Sequence, residues 1–368
     1  MADAERHDDR IARLRLIRSD NIGPVTFTHL MRRFGSAEAA LDAVPQLATR
    51  GGGRAPKLAS REAVEREMEQ VERLGARYLF LGQGLYPALL AEIESAPPAL
   101  IVRGDLALLE RPAAAMVGAR NASAAGCRFA RQLAQKIGES GMVVVSGLAR
   151  GIDTAAHDGA IETGTIGVIA GGIDIFYPPE NEARQRAIAE RGLLIAEQPP
   201  GTEPRARHFP YRNRIIAGLA LGTVVVEAAP KSGSLITARL AAEAGREVMA
   251  VPGSPLDPRA QGCNLLIREG ATLVQSADDV REALAPIGGF LSAARDTARV
   301  AEPAVAPVDA GDAERDAVIA LLSPVPVPVD EIVRQSGLPA PLVQTVLLEL
   351  EIACRLERHA GGRVSLTA

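Results

Sequence analysis

The chain has 368 residues, a formal net charge of −4 and a hydrophobic fraction of 47%, with only 23% charged residues. This length predicts two or three domains, each able to bury a core. No run of about 18 apolar residues occurs, which excludes a membrane span, and the polar, acidic first ten residues do not resemble a signal peptide. Cys127, Cys263 and Cys354 are widely separated, which argues against a zinc site or a disulfide framework and favours a cytoplasmic location.

Residues 1–75 are predicted to form a small helical domain. Helical spacing extends from Ile11 to about Ala48 with a break at Asn21-Ile22-Gly23-Pro24, and Ser36 is placed to cap the helix that follows. This arrangement is similar to helix-hairpin-helix and sterile-alpha-motif-like modules. Such modules contact the DNA backbone in some proteins and only pack against other domains in others. Gly51–Lys57 has the composition of a linker.

Between residues 76 and 288, short apolar runs alternate with stretches of helical spacing such as Ala124–Glu139 and Ser234–Ala244. The apolar runs are Tyr78–Leu81, Ala114–Val117, Met142–Val145, Ile166–Ala170, Leu193–Ala196, Thr223–Val226, Val248–Val251 and Thr272–Val274. Strands that alternate with helices are typical of a parallel sheet covered on both faces. We therefore predict an α/β domain with a doubly wound, mostly parallel sheet.

The C-terminal part is predicted to be a linker followed by a winged-helix-like domain. Residues 289–311 are rich in Ala, Pro and Gly, and residues 312–368 show three helical stretches followed by a hairpin about Gly361-Gly362. The third stretch, Pro341–Leu350, takes the position of a recognition helix. It contains no Arg or Lys, and Glu349 and Glu351 lie at its end, which favours a structural or protein-contact role over DNA reading.

Glycine and helix starts follow most of the predicted strands, at the sheet edge where ligands bind in α/β folds. The loops are Gly118–Ser123, Ser146–Asp153, Gly171–Asp174, Glu227–Thr237 and Pro252–Ser254. Glycine lets backbone amides approach a ligand, and helix N-termini attract anions. Turn chemistry explains any one loop equally well, and Ser234 could simply cap a helix. The convergence of several loops predicts a pocket for a phosphate-bearing ligand.

Common phosphate ligands and catalytic groups fit these loops poorly. Gly118 is not followed by the glycines of a dinucleotide fingerprint, and Lys231-Ser232 lacks the preceding glycine spacing of a P-loop. NAD binding and ATP hydrolysis are therefore disfavoured. The five histidines form no metal-ligand pattern, and His157 is interpreted as a buried structural residue. We predict no cofactor and no metal.

Positive charge is concentrated in the segment Pro200–Leu240, where six basic residues outnumber two acids and give +4. Pro210 is placed to begin a helix whose first turn contains Arg212, Asn213 and Arg214. Cations at a helix N-terminus oppose the macrodipole by ~0.3–1 kcal/mol each, so a bound anion would explain them. An internal salt bridge to Glu197 or Glu227 remains the alternative. Aromatic residues make up only 3% of the chain, which argues against an extended base-stacking platform.

Together these motifs resemble the DNA-processing protein A (DprA/Smf) family over about Leu81 to Val280. The matching segments are Gly118–Arg120, Ser146–His157, Gly171–Asn181, Phe209–Leu219, Ser232–Ala238 and Pro252-Gly253. The resemblance implies an extended Rossmann-like core that binds single-stranded DNA, forms a homodimer and helps load RecA recombinase during natural transformation. The flanking helical and winged-helix modules are similar to the accessory domains of that family.

The resemblance also implies which residues contact DNA. By residue-wise carry-over the pocket would use Arg120, Ser146, Gly147, Arg150, Arg212, Asn213, Lys231, Ser232 and Gly233. The same motifs add Gly118, Gly151, Phe209, Arg214 and Ser234 to the predicted DNA-binding set. Ala119 departs from the serine common in the family, which removes one hydroxyl donor.

Two classes of function remain after this comparison. The first is a DNA-binding protein without catalytic residues. The second is a nucleotide-processing enzyme similar to the lysine-decarboxylase-like phosphoribohydrolases, with Glu227, Asp153 or Asp174 as acid or base. Those enzymes carry a glutamate in the motif P-G-G-x-G-T-x-x-E where this chain has Ala238. The first hypothesis is therefore preferred.

Overall fold

The computed structural model describes residues 2–285, 309–359 and 361–367. The chain divides into two compact units. One is the α/β unit, which begins at residue 67. The other, the terminal unit, combines residues up to 66 with the described residues from 309 onward. The predicted linker 289–311 lies outside the described residues except for 309–311, and the predicted domain boundaries stay predictions.

A nine-stranded sheet forms the centre of the α/β unit. Its strands are β1 (Arg77–Phe80), β2 (Ala99–Gly104), β3 (Ala113–Gly118), β4 (Val143–Ser146), β5 (Thr165–Ile169), β6 (Leu193–Ala196), β7 (Gly222–Val226), β8 (Glu247–Ala250) and β9 (Thr272–Leu273). The order is β1-β2-β6-β5-β4-β3-β7-β8-β9. The seven strands from β6 to β9 are parallel, and β2 joins them by antiparallel pairing to β6 and β1. The mostly parallel α/β prediction is confirmed.

Helices cover both faces of this sheet. They are α5 (Ala88–Ala91), α6 (Ala124–Glu139), α7 (Ile152–Ala160), α8 (Glu182–Arg191), α9 (His208–Leu219), α10 (Gly233–Glu243), α11 (Gln261–Arg268) and α12 (277–285). Alternate residues of one strand enter different cores because strand side chains alternate between faces. In β4, for example, Val143 and Val145 belong to one cluster and Val144 to another. Burial on both faces explains why these strands are continuous apolar runs.

The terminal unit contains the predicted helical and winged-helix modules. Its helices are α1 (Ala2–Arg18), α2 (Pro24–Phe34), α3 (Ala37–Arg50), α4 (Arg61–Arg73, which continues into the α/β unit), α13 (Asp312–Ala320), α14 (Val329–Ser336) and α15 (Ala340–Ile352). A small sheet has the order β10 (Val327–Pro328), β12 (Arg363–Leu366), β11 (Leu356–His359). Ser36 caps α3 as expected, because its hydroxyl accepts a hydrogen bond from the Ala39 amide at 3.2 Å.

Residues 51–60 join α3 to α4 without helix or strand, and the predicted linker Gly51–Lys57 lies within them. Its glycine run Gly51–Gly53 is closely packed. It lies against the C-terminal end of α15, where an added Cβ at Gly53 would be 2.6 Å from the carbonyl oxygen of Ala353. At Gly51, a Cβ would overlap the carbonyl of Glu349. Glycine is needed here because two backbones approach each other closely. Composition alone does not distinguish this use of glycine from a flexible linker.

Among the described residues, no helix is long and apolar enough to span a bilayer.

Buried His157 makes the stability of the α/β unit dependent on pH. Its Nδ1 lies 2.8 Å from the Thr165 hydroxyl, and burial lowers its pKa from 6.5 to about 3. Between those values the unfolded chain binds a proton that the folded chain does not. The contribution of His157 is therefore complete above pH 6.5 and falls as the pH decreases, by up to about 1.4 kcal/mol per pH unit.

We expect His157→Gln to weaken this pH dependence. Between about pH 7 and pH 5 its thermal midpoint should fall less than that of the unaltered chain. The exposed residue His7 provides the matched control, since His7→Gln should leave the pH profile unchanged. Parallel profiles for all three proteins would contradict the prediction.

Candidate functional site

The order of the parallel strands reverses between β3 and β7, which is where α/β folds usually open a ligand crevice. In this chain the carboxylate of Glu227 lies between β3 and β7. Glu227, directly after β7, accepts hydrogen bonds from the Ser123 amide at 2.8 Å and from the Ser123 hydroxyl. A Cβ at Gly126, in the first turn of α6, would be 2.6 Å from the Glu227 carboxyl. The N-terminus of α6 is thus already neutralised by an internal anion.

A pocket opens beside this crevice, at the carboxyl ends of β4 and β5 and the start of α9. Three arginines and two aromatic rings contribute to it, and no Asp or Glu among the described residues lines it. Its lining residues are Arg120, Gly147, Leu148, Ala149, Arg150, Ile169, Ala170, Gly171, Ile175, Tyr177, Pro178, Phe209 and Arg212. Five residues of the predicted DNA-binding set therefore line one pocket: Arg120, Gly147, Arg150, Phe209 and Arg212.

Arg212 forms the buried floor of this pocket. It is 6% exposed, its Nη1 donates to the Val168 carbonyl at 3.3 Å, and its Nε has no hydrogen-bond partner. Burial lowers its pKa from 12.5 to about 10, the Asp153 carboxylate opposes this change, and Arg120 adds to it. The group remains protonated at neutral pH. A desolvated cation with unused hydrogen-bonding capacity is well suited to bind an anion.

Asp153 is the counter-charge of Arg212 and also fixes the loop after β4. Its Oδ2 accepts hydrogen bonds from the amides of Gly147 and Ala149 at 3.2 and 3.3 Å. Burial raises the pKa of this carboxyl, and Arg212 is the largest influence that lowers it. A Cβ at Gly147 would overlap the Arg212 guanidinium and lie 2.9 Å from Asp153. Gly147 therefore leaves the space that the Arg212 guanidinium occupies, and its amide donates to Asp153.

Phe209 joins the cationic and aromatic parts of the pocket. Its ring centroid is 5.2 Å from the Arg120 guanidinium carbon and 5.9 Å from that of Arg212. The Tyr177 ring is 5.6 Å away and tilted by 55°. Arginine over an aromatic face is held by cation–π attraction, so Phe209 orients exposed Arg120 towards the pocket. The exposed Arg150 is 3.6 Å from Glu180, a surface pair that contributes little.

Several predicted site residues lie outside the pocket lining. Ser146 is fully buried and donates to the Met116 carbonyl at 2.7 Å. Arg214 is buried, with Glu197 at 2.6 Å and a hydrogen bond to the Ser95 carbonyl, which agrees with the salt-bridge alternative. Asn213 contacts the Gly233 carbonyl at 3.5 Å. These three side chains support the fold around the pocket.

The remaining members of the predicted set are backbone positions and the start of α10. A Cβ at Gly118 would overlap the Val226 carbonyl, and Gly151 has a φ of +78°. Ser232 caps α10 and lies 2.8 Å from the Ser234 hydroxyl. Lys231, Ser232, Gly233 and Ser234 are on the same sheet edge but do not line the pocket. The sequence predicts that Lys231 shares a pocket with Arg120 and Arg212. In the structure Lys231 does not line that pocket.

Sequence reasoning missed the structural roles of Asn181 and the contribution of Tyr177. Asn181 donates to the Leu148 carbonyl at 2.8 Å and exchanges hydrogen bonds with Thr154. It thereby holds Leu148, which has a φ of +56°. Asparagine in the motif Tyr177-Pro178-x-x-Asn181 was the available signal, but its partner is 33 residues away in sequence. Only the tertiary structure shows that contact.

The structure also bears on catalysis and metal binding. Among the described residues, no group of three His, Cys, Asp or Glu side chains could hold a metal ion. Glu227 is bonded to Ser123, and Asp174 accepts the Gly201 amide at 2.8 Å. Each carboxylate that the enzyme hypothesis named thus accepts a hydrogen bond from at least one backbone amide.

The fold and the pocket define a Rossmann-like α/β protein with a pocket lined by three arginines and two aromatic rings. Residues 77–285 match the family model described as DNA recombination-mediator protein A. Residues 7–69 match the DprA-like N-terminal HHH domain, and residues 302–362 match the DprA winged helix domain. The chain belongs to the DNA recombination-mediator protein A (DprA) family.

Relatives support this assignment along nearly the whole chain. Protein Smf of Synechocystis is 32% identical over 93% of this chain and 95% of its own length. The X-ray structure of DNA processing protein A from Streptococcus pneumoniae has a TM-score of 0.57 and 39% identity, and covers 67% of this chain and 81% of that one. The Helicobacter pylori DNA processing protein A, described by its single-stranded DNA binding mode, has a TM-score of 0.51 and 27% identity over 59% of this chain and 96% of that one.

The internal anion at α6 should stabilise the fold. Glu227→Ala removes the acceptor for the Ser123 amide and hydroxyl, and we expect a loss of about 1.5–3 kcal/mol in the free energy of unfolding. Lys231→Ala is the matched control, because both residues have left-handed backbone, with φ values of +53° and +63°. Urea unfolding measures both variants, and equal losses would contradict a specific role for Glu227.

Proposed function

We propose that this chain binds single-stranded DNA, with the sugar-phosphate backbone over the pocket formed by Arg120, Arg212 and Phe209. The observation that carries the proposal is the buried, incompletely bonded Arg212 at the floor of a pocket without lining carboxylates. The single-stranded DNA binding mode described for the Helicobacter pylori relative supports it. Membership of a DNA-processing family supports it as well.

The chemistry of the pocket fits one strand better than a duplex. Guanidinium groups form charge-assisted hydrogen bonds to phosphate oxygens. Phe209 and Tyr177, which is 44% exposed, offer faces on which an unpaired base could stack, an interaction of about 1–3 kcal/mol per base. In a duplex these base faces are already stacked on each other. The aromatic contribution is confined to two rings, so most of the affinity is electrostatic.

The predicted contact residues have different roles in this proposal. Arg120, Arg150, Arg212 and Phe209 contact DNA directly. Ser146, Gly147, Asn213 and Arg214 hold the pocket in shape, as do Gly118 and Gly151. Lys231 and the turn Ser232-Gly233-Ser234 provide a second anion contact along the same sheet edge, as the strand continues beyond the pocket.

In the cell, we propose, the chain protects incoming single strands in the cytoplasm and helps load RecA recombinase on them during natural transformation. It acts as a homodimer of the α/β unit and has no catalytic activity. We expect the purified chain to sediment as a dimer and to shorten the lag of RecA filament growth on single strands that are covered by a single-strand-binding protein. A monomer without any effect on the lag would contradict this part of the proposal.

The competing enzymatic function predicts base release from nucleoside monophosphates, abolished by Glu227→Gln. We expect no release from labelled nucleotides, because Glu227 is engaged with Ser123 and the pocket lining contains no carboxylate. Release that depends on Glu227 would replace the binding proposal with a catalytic one.

Substitutions in the pocket test the binding proposal directly. Arg120→Ala should weaken binding to oligonucleotides of any sequence about tenfold or more, since a hydrogen bond to a charged group contributes about 1.5–3 kcal/mol. The salt dependence should also decrease by roughly 0.7 in the slope of log affinity against log salt. Gly147→Ala should act similarly by displacing the Arg212 guanidinium. Fluorescence anisotropy at several salt concentrations measures both effects.

Two controls make this experiment specific. Arg239→Ala removes an exposed arginine whose Nε pairs with Glu243 at 2.8 Å on α10, outside the pocket, and should leave affinity unchanged. Tyr211→Leu, at an exposed ring outside the pocket lining, should change affinity less than Phe209→Leu. Normal binding by the Arg120 and Gly147 variants at matched salt would show that the pocket assignment is wrong.

A further inference from the structure

The helix α15 is buried on two sides within the terminal unit. Its inner side packs on the winged-helix core, through Leu342, Val343, Val346, Leu347 and Leu350. Its other side contributes Leu348 and Ile352 to the core of the N-terminal helices, with Phe27, Leu30, Leu41, Val44 and Leu47. In a winged-helix DNA reader, the corresponding helix presents a face to the major groove. Here the N-terminal helices cover the C-terminal part of that second face, from Thr345 to Ile352, while Ala340 and Pro341 are exposed.

We call the contact between α15 and the N-terminal helices the seam. The two backbones approach each other closely along it. Any side chain at Gly51 or Gly53 would collide with the chain of Glu349 or Ala353. The Arg355 Nη1 also donates to the Gly51 carbonyl at 3.0 Å. Neither Gly51 nor Gly53 has a positive φ, so backbone conformation does not explain why glycine stands at these two positions. The spacing of the two backbones accounts for both residues.

Charged groups cross the same seam. Arg33, at the end of α2, donates to the Thr345 hydroxyl at 2.6 Å and pairs with Asp309. Glu349 has 0% exposure, accepts from the Arg315 Nε at 2.8 Å and lies 4.0 Å from the Arg50 Nη1. A buried carboxylate needs such partners, because removing them would leave an uncompensated charge. Glu349 is therefore supplied with cations from both modules.

We infer that α15 is an intramolecular docking helix for α2 and α3, and that this winged helix does not read duplex DNA. Two independent features agree on this point. The C-terminal part of the outer face of α15 is occupied by the chain's own N-terminal helices, and α15 contains no Arg or Lys to contact bases or phosphates. The two terminal modules form one compact unit. This inference does not depend on DNA binding in the pocket of the α/β unit.

Opening the seam in the full chain tests this inference. Gly51→Ala should increase hydrogen exchange of α15 and α3 amides about tenfold or more. Gly23→Ala is the matched control, because a Cβ at Gly23 meets nothing within 4 Å, and its exchange should stay at the parental rate. Neither variant should gain affinity for duplex DNA in a gel shift. A clear gain by Gly51→Ala would show that the seam masks a DNA-reading helix, and unchanged exchange would show that the modules are not docked.

A milder pair of variants covers the case in which Gly51→Ala fails to fold. Arg33→Met removes the hydrogen bond to Thr345 and the ion pair with Asp309 but keeps an aliphatic side chain. Arg32→Met changes the neighbouring, exposed arginine. We expect faster exchange in α15 only for Arg33→Met, with duplex affinity unchanged in both. Equal exchange in the two variants, or duplex binding gained only by Arg33→Met, would overturn the inference.

Discussion

Buried Arg212 and buried Asp153 influence each other electrostatically, and the geometry of the pocket depends on this neighbourhood of opposite charges. A guanidinium withdrawn from water requires a counter-charge and saturated hydrogen bonds, yet Arg212 retains a free Nε. Three segments supply the environment: α9 carries the arginine, α7 the carboxylate, and Gly147 the space between them. Asp153 simultaneously binds two amides of the loop after β4. The same carboxylate thus orients the loop and holds the cation under it.

Electrostatics on this sheet edge differ between two neighbouring places. At the switch point, Glu227 satisfies the amide end of α6. In the pocket, Arg120 and Arg150 add positive charge to Arg212 without any carboxylate in the lining. In the proposed function, this distribution favours a polyanion at the pocket over the crevice where Rossmann-like proteins usually hold a nucleotide phosphate. This distribution also explains how a chain of net charge −4 can present a cationic surface.

Much of the fold could be predicted because apolar runs and helical spacing are local signals. The helix Ala124–Glu139 is predicted to the residue, whereas β2 is missed, since Ala99–Val102 follows two prolines and α5, the helix between β1 and β2, has four residues. For the site, the resemblance to a known family implied Arg120, Phe209 and Arg212, which line one pocket. The sequence did not separate these residues from Lys231. All of them follow strands at the same edge of the sheet, but only some side chains line the pocket. Contacts between distant segments, such as Asn181 with Leu148 or Gly51 with Glu349, cannot be predicted from the local sequence pattern.

The seam between α3 and α15 joins residues near the two ends of the chain, since α3 ends at Arg50 and α15 at Ile352. Two segments that are distant in sequence therefore pack together, and the sequence of the α/β unit lies between them. Cleavage between residues 286 and 308 would then yield two fragments that remain together in native conditions and part only in denaturant.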